Sequence, residues 1–405
     1  MAFDDDAAAL LKDFDPLALA AQRDPYPELA SLRARCPVGR SETHGGFWNL
    51  FRYRDVFAAA VDAETFSSRD NTIPSEPLPL PPPPVMVDPP IHMQYRRPFL
   101  KRFSPGVVNG LEPMIRGKIN ELIDAFIERG QADLAEELFI PFPAFAALGI
   151  MGLPYDDFDK FSRWARLVFT VPEEGHADRE WAQEVAAYYS PMYDALVDST
   201  ADDIPSIARQ LTIDGRPIER MEFIMLLMTF VNAGLDTTTN SSAHIVLLLD
   251  ERPDLREQLR LDPSLLPTAI EELLRYLTPL PMLARVTTKD VRVGDGDEAV
   301  TIPEGDKVAL HWLAANHDPD QFVDPDQVLL DRQPNRHLAF GQGAHLCIGV
   351  HLARLQLRIV LEEIFRRMPD LTVVREDVVR VGGVTRQVHR LPVRFTPGTR
   401  ETAGR

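Results

Sequence analysis

Cys347 is the side chain of this 405-residue sequence best placed to do chemistry. It lies in Phe340-Gly341-Gln342-Gly343-Ala344-His345-Leu346-Cys347-Ile348-Gly349, just ahead of a predicted helix from Gly349 to Met368. A helix start offers unpaired amides and the positive end of its dipole. A thiolate is favoured at such a position. The nearby glycines permit tight turns and close approach of the backbone to a flat ligand. His345 adds a polar donor two residues before the sulfur. On local sequence alone a buried structural cysteine and a nucleophile both stay open, although no neighbour supplies a base to activate the thiol.

A second candidate lies in Ala233-Gly234-Leu235-Asp236-Thr237-Thr238, within an apolar stretch that predicts a helix from Phe223 to Leu249. Glycine inside a helix costs about 1 kcal/mol, so Gly234 calls for a reason. Asp-Thr in a helix is often a solvated face or a hydroxyl bonded to its own backbone. Apolar turns on both sides favour a pocket instead. Asn232 precedes Asp236 by about one helical turn and suits a bond to a substrate carbonyl or hydroxyl, or a bond to its own helix. Glu272 and Arg275 share a helix face at i,i+3.

The elements that must position these residues are mostly helical. Leu111, Ile115, Ile119, Ile123 and Phe126 recur at helical spacing, and Leu265–Leu277 predicts another helix. Strand-like stretches lie at Phe47–Leu50, around the turn Gly294-Asp295-Gly296, and from Val384 to Phe395, the last read as a terminal hairpin. Nine prolines fall between Asn71 and Pro90, which predicts a stiff extended loop, either a linker or a lid. With a net charge of −18 and two cysteines, the chain is unsuited to binding nucleic acid by bulk charge, and both a disulfide framework and a Cys₄ zinc site are excluded. The acidic N-terminus does not look like a secretion signal, and no run of about 18 apolar residues exists. A soluble cytoplasmic protein is expected.

Phe-x-x-Gly-x-His-x-Cys-x-Gly resembles the haem-binding signature of the cytochrome P-450 superfamily, in its bacterial soluble form. Three further segments agree: Ala233–Thr238, Glu272-x-x-Arg275 with Arg332, and Asp88–Arg96. The resemblance covers about Asp24 to Phe395. It implies a mainly α fold with small β-sheets, as a triangular helical domain plus a β-rich region, with a long central helix over the haem. Residues 1–405 would form a single domain. Cys347 would be the axial ligand of iron in haem b, where an electron-rich thiolate favours O–O cleavage. Phe340, Gly341, Gly343 and Gly349 would lie against the porphyrin or the sulfur. His92, Arg96, Arg285 and His345 would meet the propionates. Ala233 and Gly234 would leave room for dioxygen, and Asp236 with Thr237 would relay protons. Glu272, Arg275 and Arg332 would be structural. The sequence departs from the family pattern at His317, where Arg is usual, and at Val328, where Phe is usual.

The implied reaction is a monooxygenation of a mid-sized hydrophobic substrate. Expected pocket walls are Val85 and Met86 in the Pro-rich loop, Val168 and Phe169, Thr229, Asn232 and Ala233, Leu280, Pro281, Met282 and Leu283, and Val384 with Thr385. Only 56 residues follow Gly349, so electrons are expected from a separate ferredoxin or flavodoxin with its reductase. Arg96, Arg97, Lys101 and Arg102, with Arg354, Arg358, Arg366 and Arg367, would form a basic dock or else be solvated helix faces. Epoxidation or oxidative coupling stays open as an alternative reaction. So does a non-catalytic haem sensor or small-molecule carrier.

Overall fold

Apolar periodicity decides where the helices form and which face each one buries. The computed structural model describes residues 11–75, 80–169, 177–296 and 299–401, with backbone only at 165–169 and 177–182. It divides into two units.

The first unit comprises Met1–Met93, Glu271–Cys347 and Val381–Gln387. Its centre is a five-stranded sheet ordered Val38–Ser41, Phe47–Leu50, Lys307–Leu310, Leu283–Thr287, Phe66–Ser67. Lys307–Leu310 runs parallel to Phe47–Leu50 and antiparallel to Leu283–Thr287, with Val308 opposite both Trp48 and Arg285. One face packs Phe14, Phe47, Phe51, Met282 and Leu313. The other packs Val38, Leu50, Val56, Val308 and Trp312. Alternation along the strands sends successive side chains to opposite faces. The described part of the Pro-rich loop contains no helix or strand, and its base is fastened. Asn71 Nδ2 donates to Val85 O at 3.2 Å, Ala284 N–H donates to Asn71 O at 2.8 Å, and Ser67 and the Ser68 amide hold Asp88.

The second unit comprises Gln94–Ile270, Ile348–Arg380 and Val388–Arg405. It is built on Arg220–Glu251, which Glu219 and Glu222 cap reciprocally at its start. Around it lie helices Glu112–Asp124, Pro141–Met151, Phe158–Phe169, Ala177–Ala195 and Val350–Arg367. Ile115, Ile119, Ile123 and Phe126 are all buried, each contributing roughly 2 kcal/mol through apolar surface removed from water. Strands Gln131–Asp133, Pro392–Arg394 and Thr372–Val373 form a small sheet. No helix among the described residues is long and apolar enough to cross a membrane.

Three expectations shift. The terminal hairpin pairs Val379–Gly382 with Arg386–Arg390, so it starts before Val384, which sits at its turn. The long helix starts three residues earlier than its apolar run, at its capping glutamates. The strand Gln131–Asp133 falls in a region read as helical, because its partner Pro392–Arg394 is remote in sequence.

Candidate active site

In the first unit, the cysteine loop is a set of tight turns. Gly341 and Gly343 have φ of 67° and 72°. Gly341 N–H donates to Leu338 O, and Cys347 N–H closes back onto Phe340 O at 2.9 Å. A Cβ on Gly341 would meet nothing nearer than 3.8 Å, so its face stays open. Gly343 is different: a Cβ there would lie 2.6 Å from Ala60 O and 3.0 Å from Val61 Cα. That glycine allows the close approach of helix Tyr53–Val61. Cys347 is partly exposed, and the helix begins three residues later at Val350 with Gly349 at its cap. Neither cysteine is in a disulfide, and burial pushes the Cys36 thiol up.

His92 and His345 approach with ring centroids 4.4 Å apart. His92 is fully buried on the helix Ile91–Arg96, one turn before Arg96. Arg285 is 4% exposed, and burial pulls its guanidinium down to about 10, with Asp88 opposing. Its one hydrogen bond among the described residues runs from Nη1 to Ala284 O at 2.7 Å, and no carboxylate pairs with it there. A buried cation of this kind is stabilised by an anion. The open glycine loop, the partly exposed thiol, the histidine pair and this arginine fit a flat, dianionic iron–porphyrin.

In the second unit, helix Arg220–Glu251 is buried over 223–227 and again over 238–247. Between them Met228, Thr229, Phe230, Asn232, Ala233, Gly234, Asp236 and Thr237 keep exposed surface. A Cβ on Gly234 would meet nothing within 4 Å. Thr237 Oγ1 donates to Ala233 O at 2.9 Å, and Thr229 Oγ1 donates to Met225 O at 2.8 Å. Asp236 Oδ1 accepts from Asn240 Nδ2 at 2.8 Å. Asn240 was invisible to motif reading; its spacing of four from Asp236 was the available signal. Asn232 Oδ1 is buried with no hydrogen-bond partner among the described residues.

Glu272, Arg275 and Arg332 come together in the first unit with no more than 9% exposure. Arg275 grips Glu272 through two bonds of 2.8 and 2.9 Å, and Arg332 Nε reaches the same carboxylate at 2.9 Å. Their remaining donors hold the carbonyls of Asn316, Val323, Asp324, Pro325 and Gln327. His317 fits its unusual position by packing between Tyr26 and Tyr276 and bonding Tyr276 O at 2.9 Å. Val328 is buried.

Of the expected pocket walls, Val85, Leu280, Leu283 and Val384 keep exposed surface, as do Thr229, Asn232 and Ala233. Met86, Pro281 and Thr385 are buried, and Met282 belongs to the core with Phe14 and Phe51. The side chains of Val168 and Phe169 lie outside the described residues, as does segment 170–176.

The basic dock also needs correction. Arg358 pairs with Glu112 and Glu362, Arg366 with Glu363 and Glu401, Arg367 with Asp124, and Lys101 with Asp202. Arg102 donates to Ile150 O. Acids both near and distant in sequence pair with these basic side chains. Arg97 remains exposed.

Comparison with known proteins settles the family. The pattern of the family described as Cytochrome P450 matches residues 206–369. Cytochrome P450 130 of Mycobacterium tuberculosis is 33% identical over 391 residues, covering 92% of this chain and 95% of that protein. The chain belongs to the cytochrome P450 family. The vitamin D(3) 25-hydroxylase of Pseudonocardia autotrophica is 32% identical (93% and 94% covered), and the cyclomarin C epoxidase CymV of Salinispora arenicola is 32% identical (85% and 89% covered). Cytochrome P450 CYP109Q5 from Chondromyces apiculatus superposes with a TM-score of 0.85 at 31% identity, covering 96% of this chain and 100% of that one. As a cytochrome P450, the protein is a monooxygenase whose cofactor is thiolate-ligated haem b.

Proposed function

We propose that this cytochrome P450 hydroxylates a mid-sized hydrophobic molecule, with Cys347 as the thiolate that would hold the haem iron. Substrate, dioxygen, two electrons and two protons give the alcohol and one water. A separate ferredoxin or flavodoxin with its reductase delivers the electrons. Haem b, when bound, supplies the oxygen activation and radical chemistry.

The chain's own residues bind, orient and move protons. Cys347 Sγ carries negative charge at a helix start, which favours it. Arg285, Arg96, His92 and His345 are the residues that would supply cationic or hydrogen-bonding contacts to the propionates. Phe340, Gly341 and Gly349 would lie against the haem, and Ala233 with Gly234 would leave room for dioxygen. Threonine uses two χ1 rotamers in helices. Thr237 Oγ1 can therefore leave the Ala233 carbonyl and turn its proton outward, with Asp236 supplying the next one. The observation that carries this reading is the position of Asp236 and Thr237 on a mid-helix interval that keeps exposed surface between two buried runs.

Asn232 deepens the reading. An unpaired buried amide oxygen costs about 1–3 kcal/mol, which a substrate hydroxyl or N–H would recover. Epoxidation is the second reading, supported by the cyclomarin C epoxidase among the relatives.

The test starts from a screen for compounds that shift the haem from low to high spin. With such a compound, NADPH, ferredoxin and its reductase, oxygenated product is expected, and none when ferredoxin is omitted. Thr237→Ala is expected to divert at least about ten-fold more oxygen to hydrogen peroxide per product formed, the worth of one charge-assisted bond. An unchanged ratio would overturn the proton-relay role. Asn232→Leu should weaken the spin shift roughly ten-fold with haem content unchanged; equal binding by both proteins removes Asn232 from the site.

A further inference from the structure

We propose that Asn240, outside every recognised motif, is a positioning residue that holds the Asp236 carboxylate against a fixed point of the C-terminal chain. The proposal rests on the proton-relay reading of Asp236 and adds the group that orients it.

Asn240 is fully buried and lies one helical turn beyond Asp236. Its Nδ2 donates to Asp236 Oδ1 at 2.8 Å and to Asp236 O at 3.0 Å. Its Oδ1 accepts the backbone N–H of Val388 at 3.0 Å. Val388 is 1% exposed and central in the strand Arg386–Arg390.

These bonds fix which way the amide points. A backbone N–H can only donate, so the atom facing Val388 is the oxygen. The nitrogen therefore faces Asp236, where a carboxylate and a carbonyl can only accept. Flipping the amide would set donor against donor on one side and acceptor against acceptor on the other.

Four other polar side chains on this helix behave differently, while Thr239 reaches the remote carbonyl of Phe139 at 2.7 Å. Thr229, Thr237, Ser241 and Ser242 each bond the carbonyl four residues back. Such bonds are local and orient nothing else. Asn240 makes the local bond, and it also grips a second side chain and a strand remote in sequence. Held at one oxygen by a donor that is itself anchored, Asp236 presents its other oxygen in one direction. Proton delivery then depends on Asn240 without Asn240 touching the reacting atoms.

Loss of this anchor is expected to slow proton delivery, so that more dioxygen takes two electrons and two protons and leaves as hydrogen peroxide. Less would take four of each and leave as two waters. Two variants separate anchoring from packing. Asn240→Leu removes every bond. Asn240→Asp keeps an acceptor for Val388 N–H but turns an acceptor towards Asp236.

The first readout is the infrared carboxylate stretch of the haem-loaded protein labelled with ¹³C-aspartate, without organic substrate. The Asp236 band is assigned by its loss in Asp236→Asn. It is expected to shift in both Asn240 variants, while amide exchange at Val388 accelerates only in Asn240→Leu. The second readout is oxygen reduced to water relative to peroxide, with NADPH, ferredoxin and its reductase. That ratio is expected to fall roughly ten-fold in both variants, matching a lost bond to a charged group, and to fall no further when Asn240→Leu is added to Asp236→Asn. An unshifted Asp236 band, or an equal further fall in the Asp236→Asn background, overturns the role of Asn240. A wild-type ratio in Asp236→Asn alone overturns the relay reading itself.

Discussion

At the scale of single residues, burial decides which groups stay charged. Arg285 is a cation held in the interior, its guanidinium drawn down to about 10 by burial, and an anionic cofactor edge relieves that cost. His311 shows the opposite solution. It is fully buried, stacks on Phe51 at 4.4 Å, and bonds Asn49 Oδ1 at 2.8 Å through Nε2. Burial pushes its imidazole down to about 3, so it stays neutral in the fold. An unfolded histidine titrates near 6.5. Its stabilising contribution is therefore complete above about pH 6.5 and is lost as pH falls from there towards 3. At pH 5 the loss is about 2 kcal/mol from this residue. Burial pushes His317 and His389 in the same direction, so the whole protein loses more. Denaturant unfolding at pH 7 and pH 5 should show a smaller pH loss for His311→Gln than for wild type. Equal losses would mean that His311 is not the titrating group.

At the scale of elements, the buried Glu272–Arg275–Arg332 cluster ties a helix to the irregular chain from Asn316 to Gln327. Breaking a buried pair leaves an uncompensated charge and costs about 3–5 kcal/mol. Glu272→Gln is expected to lower unfolding stability by that amount, while the protein that still folds keeps its haem spectrum. A loss below about 1 kcal/mol would show that the cluster does not hold this segment.

The elements also show what was legible in the sequence. The long helix was readable because its apolar run is continuous, and Gly234 with Asp236 interrupts it in a recognisable pattern. Cys347 and its loop were readable because glycine, histidine and cysteine sit at fixed short spacings. Asn240 was not, since its meaning comes from Val388, nearly 150 residues away. The crowding of Gly343 was not legible for a similar reason: the backbone of Ala60 that meets it belongs to a remote helix. The strand Gln131–Asp133 is a strand only because Pro392–Arg394 pairs with it.

At the scale of the whole molecule, the net charge of −18 conceals a finely paired surface. Arg116 alone contacts Glu112, Glu362 and Glu363, and Arg358, Arg366 and Arg367 draw on the same belt of acids. Charge read along the chain therefore overstated the basic face available to a redox partner. The central claim concerns one atom, Cys347 Sγ, as the ligand of haem iron. The most direct measurement is the absorption spectrum of the reduced protein under carbon monoxide, wild type beside Cys347→His. Wild type is expected to show its Soret band at the thiolate-ligand position and Cys347→His at the imidazole-ligand position. A folded, haem-loaded wild-type protein with its band at the imidazole position would contradict the account.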